Sequence, residues 1–160
     1  MNVSQVKATV LSTAPLFVQS KYETCMLKPQ YFVYHNNREL IIKAKEANQT
    51  NSRIDLKYIV GNLKLKDELQ FNFNAKRGRL SFEEQTFLLE DDINIYKQGI
   101  LILRSSNLFI NYIDGSVSSS QKIVLSYNNT LLTTSKFTFD QSHVIRCTHG
   151  VRMIIQMSVL

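Results

Sequence analysis

Apolar and polar positions alternate along most of this chain. Leu69, Phe71, Phe73 and Ala75 share one parity and Gln70, Asn72 and Asn74 the other, while Ile54, Leu56, Tyr58 and Val60 alternate with Asp55, Lys57 and Ile59. A period of two sends successive side chains to opposite faces of an extended backbone, so each stretch predicts a strand with one buried face. The pattern also marks strands over 3–11 and 16–26, separated by Pro15, and Pro29 then interrupts the chain by removing a backbone donor. Tyr31-Phe32-Val33-Tyr34 reads as another strand, with Asn36-Asn37 as a tight turn after it. Residues 39–47 fit two readings. Asn36 with Glu39 matches a helix capping box, whereas Leu40-Ile41-Ile42 after a turn favours the returning strand.

Further along, Gly61-Asn62 reads as a turn and Leu63-Lys64-Leu65-Lys66 alternates again. Ser81 followed by Glu84 is the best helix start in the chain and predicts a short helix over 82–91. Ile100-Leu101-Ile102-Leu103 lacks alternation, as a strand covered on both faces would; Ser105-Ser106-Asn107 predicts a turn and Leu108-Phe109-Ile110 the return. Strands follow over 122–127, 131–139, 143–147 and 151–159, with turns at Asp114-Gly115-Ser116, Asn128-Asn129 and His149-Gly150. The expectation is an all-β, single-domain protein over 1–160: an antiparallel sandwich or small barrel of about nine or ten strands with one short helix.

Composition narrows the class without naming a task. Hydrophobic residues make up 44% and charged residues 20%, ordinary values for a globular chain of 160 residues that buries its own core. Two cysteines, Cys25 and Cys147, are too few for a secreted disulfide scaffold and are expected as free thiols. The first residues lack a basic start followed by a long apolar run, so the expectation is a soluble intracellular protein, of cytoplasm, nucleus or virion, without membrane insertion.

The formal net charge of +6 is unevenly spread. Ten bases and five acids fall within 38–79, whereas 80–92 holds five acids and no base. Residues 62–82 concentrate the effect: an alternating strand, a basic turn Lys76-Arg77-Gly78-Arg79, and a return through Leu80-Ser81-Phe82. Lys64, Lys66, Lys76, Arg77 and Arg79 are therefore the candidate contacts for a partner or a phosphate. Phe71 and Phe73 share the parity of Leu69 and Ala75, which aims them at the core and away from a base-stacking role.

No catalytic constellation stands out. Asp140, Ser142 and His143 lack a glycine-rich oxyanion loop, and Glu83, Glu84 and Glu90 lie on a polar segment. His143 and His149 lie about 20 Å apart on a straight strand, too far for one metal ion. No enzyme and no cofactor are expected. The preferred reading is a binding or assembly subunit, of scaffold or viral accessory type, that acts on a protein partner or a second copy of itself. The alternative is a single-stranded nucleic-acid-binding barrel of the oligonucleotide-binding type.

Overall fold

The computed structural model describes residues 18–20, 23–65, 69–97, 101–142 and 144–157. These residues contain no helix and form one antiparallel sheet of fifteen strands. Short strands come first: β1 (Val18–Ser20), β2 (Glu23–Leu27), β3 (Gln30–His35), β4 (Arg38–Lys43) and β5 (Glu46–Gln49). Four long ones follow: β6 (Arg53–Lys64), β7 (Gln70–Ser81), β8 (Thr86–Lys97) and β9 (Leu101–Asn111). The chain ends in β10 (Val117–Ser119), β11 (Ile123–Tyr127), β12 (Thr130–Thr134), β13 (Lys136–Phe139), β14 (Ile145–Thr148) and β15 (Arg152–Ile155).

The long strands belong to two layers at once. The first half of β6 pairs with β5 and its second half with β4, on the same side of the strand. On the far side, β9 pairs with β11 through its first half and with β10 through its second. One layer therefore runs β1-β2-β5-β6-β7-β8-β9-β10-β13-β14, and the other runs β3-β4-β6-β7-β8-β9-β11-β12-β15. The four long strands fold over a common corner, so the sheet closes on itself as a sandwich.

Side-chain parity shows how a strand turns that corner without exposing its core face. On β6 the buried residues are Ile54 and Leu56, then Ile59 and Leu63, with Leu65 just past its end; parity flips across the exposed pair Lys57-Tyr58, and Tyr58 has φ 53°. On β7 they are Phe73 and Ala75, then Gly78 and Leu80, with Lys76-Arg77 both exposed between them. On β9 the flip falls between Leu103 and Leu108. β8 turns with an extra residue, a bulge between Glu90 and Ile93 where Asp91 and Asp92 have φ 61° and 48°. Bulges bend a strand, and aspartate is among the few residues that tolerate the left-handed conformation.

Three sequence expectations are corrected here. Ser81 does accept a hydrogen bond from the Glu84 N–H at 3.2 Å, as a helix cap would. Yet Gln85 takes φ 57°, and the turn closes a hairpin in which Ser81 pairs with Thr86, so strand β8 stands where the short helix over 82–91 was expected. Gly61-Asn62 and Ser105-Ser106-Asn107 are not turns but interior positions of β6 and β9, and the strand count exceeds nine or ten because short strands such as β5 and β10 stand beside these long ones. Lys76-Arg77-Gly78-Arg79 is likewise no turn: it is the corner of β7. The 39–47 stretch resolves as two strands, β4 and β5, and Asn36-Asn37 (φ 46° and 61°) forms the tight turn into β4. The expected strand over 3–11 lies outside the described residues.

Candidate functional site

The register lines up two apolar rows that face each other. In one layer the row runs Ile54, Leu80, Phe87, Ile110, Val117, Phe139, Ile145. In the other, Tyr31, Ile42, Gly61, Phe73, Ile95, Leu103, Leu125, Leu132 and Met153 follow one another across the sheet. The layers touch through two edge-to-face aromatic pairs, Phe73–Phe87 with centroids 6.0 Å apart and Phe71–Phe139 at 6.2 Å. Between them, toward β14, lies a cavity of about 50 Å³ lined only by apolar side chains, among them Phe71, Phe73, Val117, Phe139 and Ile145.

This cleft leads to an end of the sandwich that the described chain leaves uncovered. Among the described residues β14 pairs only with β13 and β15 only with β12, so each presents an edge that no described strand covers. Every residue of β15 is exposed, including Met153, Ile154 (46%) and Ile155 (62%), and Ile145 of β14 is 41% exposed. Isolated apolar residues on a surface are ordinary, but a contiguous set along two free edges marks a contact surface. Alternation finds these strands; it does not reveal that no described residue covers them.

The candidate cations lie elsewhere, on the corner and its flanks. Lys76 contacts Asp92 at 2.5 Å, and Arg77 contacts Asp91 at 2.7 Å and Glu90 at 3.8 Å. These acids belong to the acidic segment after the supposed basic turn; the corner places it directly alongside. Arg79 donates from Nε to Asp55 at 3.0 Å, and Asp55 also faces Arg53 at 3.5 Å. The hydrogen bond and charge of Asp91 hold the Arg77 guanidinium above its ordinary pKa, and Asp92 does the same for Lys76. Lys64 is exposed at the end of β6, opposite Glu39 and Gln70, and Lys66 lies outside the described residues. Lys76, Arg77 and Arg79 thus form a ladder of ion pairs with neighbouring acids, unlike the open groove that tracks a nucleic-acid backbone.

The remaining candidates do not converge. Cys25 and Cys147 are both free; Cys25 Sγ donates to Asn48 Oδ1, and burial pushes the Cys147 thiol up. Asp140 accepts from the Ser142 and Val144 N–H groups and from Arg146, which together hold its carboxyl below the usual range. That arrangement organises a loop, and His143 beside it lies outside the described residues. Among the described residues no three His, Cys, Asp or Glu side chains cluster as metal ligands would, and no helix is long and apolar enough to cross a membrane.

A family model described as "Lipopolysaccharide-assembly, LptC-related" matches residues 37–152, from the turn before β4 to the start of β15, and the chain belongs to that family. No curated protein matches it. Membership agrees with the expected assembly subunit and protein partner, and the family is described by assembly and not by a reaction. It gives the nucleic-acid alternative no support, and the viral reading falls with it. The expected location in cytoplasm, nucleus or virion is corrected as well, because lipopolysaccharide is assembled in the bacterial envelope.

Proposed function

Starting from that membership, we propose that this chain is an envelope subunit of lipopolysaccharide assembly that shields lipid acyl chains between its two layers. Its uncovered edges, β14 and β15, then continue the sheet into a protein partner. The observation that carries the reading is the cleft itself, lined only by apolar side chains and opening beside two free strand edges. An acyl chain supplies no hydrogen bonds and asks for none, so such a lining suits it and repels a sugar or a phosphate. A free strand edge offers backbone donors and acceptors in register, and pairing there gives affinity through main-chain bonds. Lipid and partner would thus meet at one end of the molecule, an arrangement suited to passing a chain onward without exposing it to water.

A photo-crosslinking side chain placed at Ile145 tests the lipid contact. It should label lipopolysaccharide, and phospholipid vesicles should compete poorly. Equal competition by phospholipid would reduce the site to a general lipid cleft, and no labelling would refute the reading. For the partner edge, Ile154→Lys places a charge on an exposed strand that must pair. It should abolish capture of the partner while leaving the melting temperature and lipid labelling unchanged.

A further inference from the structure

The outer face of the second layer carries a depression that the inner cleft does not account for. Register partners on neighbouring strands share a face, so Phe32, Ile41, Asn62, Asn72 and Tyr96 form one row from β3 across β4, β6 and β7 to β8. That row lies opposite the inward row through Tyr31, Ile42 and Phe73. With Gln30, Lys43 and Val60 of the adjacent row it lines a depression of about 380 Å³, within the roughly 300–1,000 Å³ of small-molecule sites. Tyr96 is 40% exposed and Val60 54%. Asn62 Nδ2 donates to Asn72 Oδ1 at 2.9 Å. This pair spends one donor and one acceptor on itself, and leaves the Asn62 carbonyl oxygen and the Asn72 NH2 group without a partner among the described residues. Asn74 and Asn94 repeat the arrangement on the adjacent row at 3.0 Å.

We propose that this outer depression is a saccharide-binding site. Strands β4, β6, β7 and β8 each pair on both sides, so the floor offers no backbone groups to an added peptide strand. Lys43 is the one cation among the described lining residues, too little for a polyanion such as a nucleic acid. An acyl chain would leave the interleaved amides unbonded. A sugar ring meets both parts of the lining. Its C–H face packs on the electron-rich face of an aromatic ring, and its hydroxyls donate and accept, as an amide does. Phe32 and Tyr96 stand four strand spacings apart, roughly 19 Å, so aromatic platforms flank the amide pair over a span suited to a short oligosaccharide. Lys43 beside them suits a phosphate or carboxylate substituent on the sugar. The site lies on the opposite side of its layer from the apolar cleft and does not depend on the lipid reading.

The test is saturation-transfer NMR of the full chain with two glycans of a bacterial envelope: the oligosaccharide of lipopolysaccharide freed of its acyl chains, and solubilised peptidoglycan strands. Saturation should reach ring C–H protons of at least one of them, and the glycan that binds names the source. Tyr96→Ala should weaken binding about tenfold, the loss of one aromatic contact, and Tyr96→Phe should keep it. Asn72→Ala should weaken it about fivefold, which keeps the result decisive if thermal melts show that Tyr96→Ala fails to fold. Tyr127→Ala removes an exposed aromatic ring outside the depression and should leave binding unchanged. Lipid labelling at Ile145 should survive in every variant, so failure of the acyl reading and failure of this one show separately. No saturation of either glycan would overturn the proposal. So would binding that is unchanged in Asn72→Ala and in any folded Tyr96→Ala protein.

Discussion

The two ends of this sandwich use the same alternation and finish it in opposite ways. At the β3–β6 end, the inner residues Tyr31, Val33, Leu40, Ile42, Ile54 and Leu56 are each no more than 2% exposed. At the β12–β15 end, equivalent inward positions carry Leu132, partly exposed, and Met153 and Ile145, at 57% and 41%. The first end is a core that stabilises the fold by its own burial. The second is apolar on its inner face yet left exposed by the described residues, the surface that the proposed lipid and partner would cover. If the proposed contacts lie at the second end, substitutions at the two ends should separate stability from function.

The sharpest contrast sets Ile42→Ala against Ile145→Ala. Ile42 has no exposed surface, so its truncation leaves a cavity and should cost about 2–5 kcal/mol, read as a large fall in melting temperature or denaturant midpoint. Ile145 is already partly in water, and its truncation should cost on the order of 0.5 kcal/mol while weakening lipid labelling and partner capture. Equal stability losses at the two sites would mean that the β14 edge is packed in solution and that the contrast is false.

Gly61→Ala probes the closed side of the cleft. Phe73 lies directly across from Gly61 on the neighbouring strand and fills the volume that a side chain would take. Adding a methyl group forces that ring or the Ile41 backbone to move, an overpacking cost of about 1–3 kcal/mol. Gly78→Ala should cost less, because the nearest atom to its new Cβ is the flexible Ile59 Cδ1. The reverse order in melting temperature would show that Phe87 is held more tightly than Phe73.

Much of the closed end was legible in the sequence, and the reason is local. Alternation aimed Phe73 inward, with Phe71 against the core beside it, and Asn36-Asn37 announced their turn because asparagine tolerates positive φ. The corners were not legible from alternation alone, since two adjacent polar residues inside an apolar pattern look like a turn. Lys76-Arg77 is such a pair, yet β7 continues with its parity flipped; at Lys57-Tyr58 the alternation reads straight on, whereas Tyr58 and Val60 are exposed and Ile59 is buried. A reversal of parity after the pair, as from Ala75 to Leu80, is the signal that separates a bent strand from a hairpin. The charge asymmetry between 38–79 and 80–92 was real in sequence but misleading in space, because β7 and β8 are neighbours and their corners cancel each other. The open end was invisible for a different reason: exposure of a strand edge depends on which elements pack beside it, and alternation within one strand does not encode that.

The smallest expected effect tests how well the closed end is finished. The Tyr31 ring is fully buried, and its hydroxyl has no hydrogen-bond partner among the described residues. Burial also pushes its pKa up, from 10.0 to about 12. The folded protein therefore favours the neutral phenol, so this contribution is intact below pH 10 and is lost as pH rises toward 12. Tyr31→Phe keeps the ring and removes the unpaired hydroxyl, which should raise stability by about 1 kcal/mol at neutral pH. The same substitution should flatten the fall in melting temperature between pH 10 and pH 12. A Tyr31→Phe protein less stable than wild type would mean that the hydroxyl is bonded in solution, and the closed end would then hold a polar contact that its apolar row conceals.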